Sequence, residues 1–162
     1  VILHPPMREN SLRSYAAARG LPVLIYEAGE ALRFDELSIR AGLQGVANVM
    51  RHVGMLPPGK AKAGIVPVVA ASTSWVRAPI SGIVSRKVAL GTRVVATQRL
   101  AVVGDPLGGE EESIHAPFDG IVICRNNLPL AHEGDALFHI AAFESVARAA
   151  SRLETFAASL GG

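Results

Sequence analysis

The rhythm of apolar residues changes twice along this chain, and each change marks a boundary. Val1, Ile2 and Leu3 form a short apolar run that predicts a strand, ended by Pro5 and Pro6 because proline donates no ladder hydrogen bond. Asn10 or Ser11 suits the N-cap of a short helix through Tyr15 and Ala16 to Ala18, with Gly20 where a left-handed closing residue is expected. Residues 22–26 are continuously apolar, which predicts a strand covered on both faces; Glu27 ends it and Gly29 breaks it. From Asp35 onward, Ile39, Leu43, Val46, Met50 and Val53 recur at three- and four-residue steps. That spacing predicts an amphipathic helix, stopped by Gly54 and the pair Pro57 and Pro58. Strand, helix, strand, helix is the closing portion of an α/β domain over residues 1–56, too short to bury its own sheet and expected to pack on preceding polypeptide.

Residues 57–64, with Gly59, Lys60 and Lys62, have linker composition. Beyond them short β-branched runs return every eight to twelve residues, as in an all-β sandwich or barrel. This second region repeats itself. Arg77-Ala78-Pro79-Ile80-Ser81-Gly82-Ile83-Val84 returns as His115-Ala116-Pro117-Phe118-Asp119-Gly120-Ile121-Val122, identical at five of eight positions with an offset of 38. Two such halves can interlock into one sandwich over residues 65–141, joined at residues 105–113. Residues 142–162 complete the chain as a helix with Phe143, Val146, Ala147, Ala150, Leu153, Ala157 and Leu160 on one face and Glu144 with Arg148 as an i, i+4 pair opposite. Its apolar face would pack on the body of the chain or on a second subunit, the first being the simpler arrangement.

Composition narrows the function classes. With 49% hydrophobic and 19% charged residues the chain is globular, and its net charge of +2 is scattered rather than gathered into a stripe that would suit nucleic acid. No apolar run approaches the roughly 18 to 20 residues that span a bilayer, so no membrane partner is expected. Cys124 is alone, which excludes an intramolecular disulfide and a thiolate metal cluster and fits a reducing, cytoplasmic setting. The chain opens on Val1 with neither an initiator Met nor a signal-type segment, and we expect it to be part of a longer functional unit.

Among residues that could carry chemistry, Glu27 stands first, since a carboxylate at the end of a covered strand lies where α/β sheets place their ligand crevices. Five histidines are candidate metal ligands. His4, His52, His115, His132 and His139 show neither His-x-x-x-His nor His-x-x-Glu spacing, so no metal site is expected within the chain. Lys87 reads as a solvated surface residue.

Two resemblances add to this. The duplicated region, about residues 75–141, resembles the barrel-sandwich hybrid fold of lipoyl and biotinyl carrier domains. Carriers need a lysine at the hairpin joining their halves, and here that joint is Asp105-Pro106-Leu107-Gly108-Gly109-Glu110-Glu111-Glu112-Ser113, so neither lipoyl nor biotin is expected. Ser11-Leu12-Arg13-Ser14, then Gly20-Leu21-Pro22-Val23-Leu24-Ile25-Tyr26-Glu27-Ala28-Gly29, then Val49-Met50-Arg51-His52-Val53-Gly54-Met55-Leu56 resemble the succinylglutamate desuccinylase and aspartoacylase family. That family often carries a lipoyl-like β domain after this helix, so the resemblance covers nearly the whole chain.

The resemblance implies a zinc-carboxypeptidase-like α/β fold and hydrolysis of N-acyl amino acids or related amides. It also implies a zinc ion held by a His-x-x-Glu pair and a later His, all preceding the matched region. The Glu of its Glu-x-Gly element is the general acid/base, and that element is Glu27-Ala28-Gly29. Its Leu-Arg-Ser matches Leu12-Arg13-Ser14, which makes Arg13 the implied binder of the substrate carboxylate through two parallel hydrogen bonds. The expectation is therefore the C-terminal part of a zinc-dependent deacylase, inactive without an upstream catalytic domain, acting on a small N-acyl amino acid. A non-catalytic β module for oligomerisation or active-site capping is the alternative, and a homo-oligomer stays open.

Overall fold

A capping box opens the first helix, α1 (Leu12–Ala17): the Ser11 hydroxyl accepts from the Ser14 amide, and the Ser14 hydroxyl accepts from the Ser11 amide, both at 3.1 Å. Ser11 is thus the cap, while Asn10 turns into the left-handed region at φ 57°. Gly20, at φ +69°, follows the helix, and the Leu21 amide donates to the Ala16 carbonyl. Asp35 caps the second helix, α2 (Glu36–His52), its carboxylate accepting from the amides of Leu37 and Ser38 at 3.1 and 3.4 Å.

The computed structural model describes residues 1–59 and 66–160; of the expected linker 57–64, residues 60–64 with Lys60 and Lys62 lie outside that range. The chain divides into two units: the described residues of Pro5–Ile65 with Thr155–Gly162, and Val1–His4 with Val66–Glu154.

In the first unit the strand expected over residues 22–26 does not form. A strand takes its hydrogen bonds from a neighbour, and no described residues lie alongside to supply them. Leu24 is 85% exposed and Ile25 60%. None of the 17 residues of α2 is buried, so its apolar stripe, Leu43 and Val46 among it, is open as well. The expected first strand is likewise reduced to one parallel bridge, Ile2 with Val69, which places Val1–His4 with the β unit.

The second unit holds eight strands: β1 (Ser72–Arg77), β2 (Gly82–Ser85), β3 (Arg93–Val94), β4 (Arg99–Gly104), β5 (Glu111–His115), β6 (Gly120–Arg125), β7 (Leu130–Ala131) and β8 (Ala136–Ala142). They form two antiparallel four-stranded sheets, ordered β1-β8-β6-β3 and β5-β4-β2-β7. Replacing each of the first four strands by its counterpart four places later turns one order into the other. The repeat seen in the sequence is therefore an exact exchange of strands, each sheet taking two from each half.

Matching contacts follow. A Cβ on Gly82 would collide with the Gly104 carbonyl, and one on Gly120 with the Ala141 carbonyl, which is why both copies keep glycine there. The Ser81 hydroxyl accepts from the Glu133 amide at 2.9 Å, and the Asp119 carboxylate at the same place in the second copy accepts from the Ala96 amide at 2.8 Å.

Between the sheets lies a core that includes Val84, Leu100, Val103, Ile114, Val122 and Phe138. The third helix, α3 (Val146–Leu160), sets Ala149, Val146 and Leu153 against Ile121 and Ala141 on the outer face of β6 and β8, so this part of the helix packs within the chain. Glu144 precedes the helix, and the i, i+4 ion pair with Arg148 does not form among the described residues.

Candidate functional site

Glu27 sits on an irregular segment that is tied to α2 through the residue before it. On one side the Tyr26 hydroxyl donates to the Ser38 carbonyl of α2 at 2.8 Å, and the ring lies over Gly42, where an added Cβ would stand 2.9 Å from ring carbon Cε1. Gly42 therefore serves a close approach, the reason a helix tolerates a residue that costs it about 1 kcal/mol relative to alanine. On the other side Gly29 is left-handed at φ +89°, and a Cβ there would touch Ser38 and Asp35 at 3.8 and 3.9 Å. The Tyr26 hydroxyl reaches the first turn of α2 and its ring the second, while Gly29 lies beside Ser38 and Asp35.

The first turn is itself locked. Ser38 donates its hydroxyl to the Asp35 carboxylate at 2.8 Å, and the Asp35 carboxyl titrates below its usual range, first because of that hydroxyl and then because of the Ser38 and Leu37 amides. Glu27 is exposed and makes no hydrogen bond or ion pair among the described residues, which leaves its carboxylate available to a ligand.

Arg13 lies in the same unit, on α1, half-buried, with one guanidinium nitrogen donating to the Pro6 carbonyl at 3.0 Å. No hydrogen bond or ion pair joins Arg13 to Glu27. Arg33 faces Glu30 at 3.8 Å on the surface.

The histidines are the side chains of this chain with which a zinc ion, implied by the resemblance, would first be compared. His4, His52, His115 and His132 are exposed and scattered, while His139 stacks on Trp75 with centroids 4.1 Å apart. No group of three or more His, Cys, Asp or Glu side chains is placed to hold a metal ion among the described residues. These residues do not fit a zinc ion by themselves.

Lys87 departs from its expected role. Its ammonium donates to the carbonyls of Asn126, Asn127 and Leu128 at 3.2, 3.0 and 2.9 Å, tying the two halves of the β unit together. Burial and the neighbouring Arg125 lower its pKa. Sequence reasoning missed this tie and the Tyr26 contact because each partner lies far along the chain. Gly42 was a sign of the second, although Gly45, with open space around it, lies in the same helix.

No protein-family model matches the chain, and no curated protein matches it. Solved structures do. It is similar to a succinylglutamate desuccinylase from Silicibacter sp., with a TM-score of 0.75 and 20% identity over 88% of this chain and 44% of that one. A succinylglutamate desuccinylase/aspartoacylase from Rhodobacter sphaeroides superimposes with a TM-score of 0.69 and 21% identity, covering 82% of this chain and 44% of that one. The ectoine utilization protein EutE (DoeB) from Ruegeria pomeroyi does so with a TM-score of 0.60 and 22% identity, covering 68% and 36%. The chain thus has a fold shared with solved structures of the succinylglutamate desuccinylase/aspartoacylase family, and it spans less than half the length of each of the three. No helix among the described residues is long and apolar enough to cross a membrane.

Proposed function

We propose that this chain is the C-terminal part of a deacylase that hydrolyses the amide bond of a small N-acyl amino acid or related compound. The observation that carries the reading is the shared fold, extending over 88% of the chain, with a Glu-Ala-Gly element whose preceding residue, Tyr26, is bonded to the first turn of α2. Glu27 acts as the general acid/base, taking a proton from the attacking water and returning it to the leaving nitrogen. Arg13 binds the substrate carboxylate, for which its planar fork is suited.

The exposed apolar stripe of α2 and residues 22–26 are the surfaces on which the rest of an α/β domain of the zinc-carboxypeptidase type would sit. The solved structures, of each of which this chain covers 44%, support that arrangement. In this reading the zinc ligands also belong to that remainder, because the described residues supply no set of them. The β unit is a barrel-sandwich hybrid without a carrier role, its β4–β5 turn being held by Asp105 rather than offering a lysine. The setting is cytoplasmic.

The test is turnover of an N-acyl amino acid panel by the full-length protein and by its Glu27→Gln variant. The reading expects at least one substrate to be hydrolysed and the variant to lose most of its kcat, a general acid/base contributing roughly 100- to 10,000-fold. Normal kcat in the variant removes Glu27 from the chemistry.

A further inference from the structure

The contacts around Glu27 carry a second role on the same site, and it rests on the deacylase reading. We infer that Tyr26 is the positioning residue for Glu27, fixed through its hydrogen bond to the Ser38 carbonyl and its seat on Gly42. Two observations converge. First, Tyr26 ties the backbone entering Glu27 to α2 by a side-chain bond of 2.8 Å that spans twelve residues of sequence. Second, the acceptor is not a free-standing carbonyl: Ser38 is itself held by Asp35 through both its hydroxyl and its amide.

The chain of contacts Asp35, Ser38, Tyr26 therefore ends one residue from a carboxylate that makes no hydrogen bond or ion pair among the described residues. A catalytic carboxylate must keep oxygens free for substrate, so its backbone contributes to its orientation, and an aromatic neighbour held at both ring face and hydroxyl fixes that backbone. Misplacement of a reacting group by about 1 Å can cost a hundredfold in rate, so a small loosening is enough to be measured.

The experiment compares Tyr26→Phe, Gly42→Ala and Glu27→Gln in the full-length enzyme, reading kcat, KM and thermal midpoint. Phenylalanine keeps the ring on Gly42 and removes the bond to Ser38; alanine at 42 displaces the ring while leaving the hydroxyl. Both are expected to lower kcat about tenfold with KM within twofold and the thermal midpoint little changed. A purely structural tyrosine would move the midpoint and leave kcat alone. Loss of turnover in Glu27→Gln with unchanged kcat in Tyr26→Phe overturns the positioning role and leaves the catalytic assignment standing. Normal turnover in Glu27→Gln overturns the catalytic assignment, and the positioning role falls with it.

Discussion

Replacing Thr97 by glycine should stabilise the β unit, and the second half of the duplication supplies the control. Thr97 lies in the left-handed region at φ 65°, a conformation that a β-branched residue adopts only under strain. Its amide donates to the Ala116 carbonyl at 2.8 Å, so the local backbone is held in place by the sheet. At the matching position Gly134 has φ 85°, and its amide donates to the Ala78 carbonyl at 2.9 Å, the same bond made by the other half. The left-handed conformation costs an L-residue about 1–2 kcal/mol, and glycine avoids it. Against that, glycine's freer unfolded chain costs roughly 0.4–1 kcal/mol. The net gain is about 0.5–1 kcal/mol, and Gly134→Thr should lose a similar amount. Urea unfolding followed by fluorescence of Trp75, the only tryptophan, reads this unit directly. With a slope of about 2 kcal/mol per molar, the midpoint should move by roughly 0.3–0.5 M, upward for Thr97→Gly and downward for Gly134→Thr. A lower midpoint for Thr97→Gly, or a neutral Gly134→Thr, would refute the claim that the two halves carry one turn with unequal strain.

Phe138 is fully buried between the sheets, and Phe138→Ala should cost about 3–5 kcal/mol, measured by the same unfolding transition. Lys87→Met keeps the stem and removes three donations to the Asn126, Asn127 and Leu128 carbonyls; a loss of about 1 kcal/mol is expected, since burial of the ammonium offsets part of what the bonds contribute. The Asp35 carboxyl titrates lower when folded than when unfolded, so its cap contributes stability above the ordinary carboxylate range and loses it as pH falls through the folded value. Far-UV circular dichroism should accordingly show helix lost on acidification, with a smaller acid-dependent change in Asp35→Ala. Intact mass of the purified protein should equal that of the unmodified chain; a covalent lipoyl or biotinyl group would overturn the non-carrier reading of the β unit.

How far the sequence reached depended on whether a feature closes locally. α2 begins at its Asp35 cap and ends before Gly54 as the periodicity requires, because cap, stripe and stop all lie within one stretch of chain. The duplication was legible for a similar reason: the repeated glycines face a neighbouring carbonyl in both copies, and only glycine satisfies that at either place. Residues 22–26 have the composition of a covered strand, but a strand is a relation between two segments, and its partner is not among those described. The Glu144 and Arg148 spacing presupposed a helix that starts only at Val146. At the candidate site, Glu27 and Gly29 could be picked out in advance. The tie from Tyr26 to Ser38 could not, since hydroxyl and acceptor are twelve positions apart and a tyrosine among apolar neighbours reads as one more core residue.

The exchange of strands between the halves of the β unit has a consequence for how it can assemble. Neither half, taken alone, contains a complete sheet: β2 and β4 pair with each other but need β5 and β7 as neighbours, and β1 and β3 find all their partners in the other half. On the ribosome, the segment up to Gly104 must therefore wait unsheltered until β8 has emerged before its core can close. Conversely, a single cut in the turn between β4 and β5 would sever the backbone without breaking a ladder, leaving two pieces that complement each other like the parts of a split reporter.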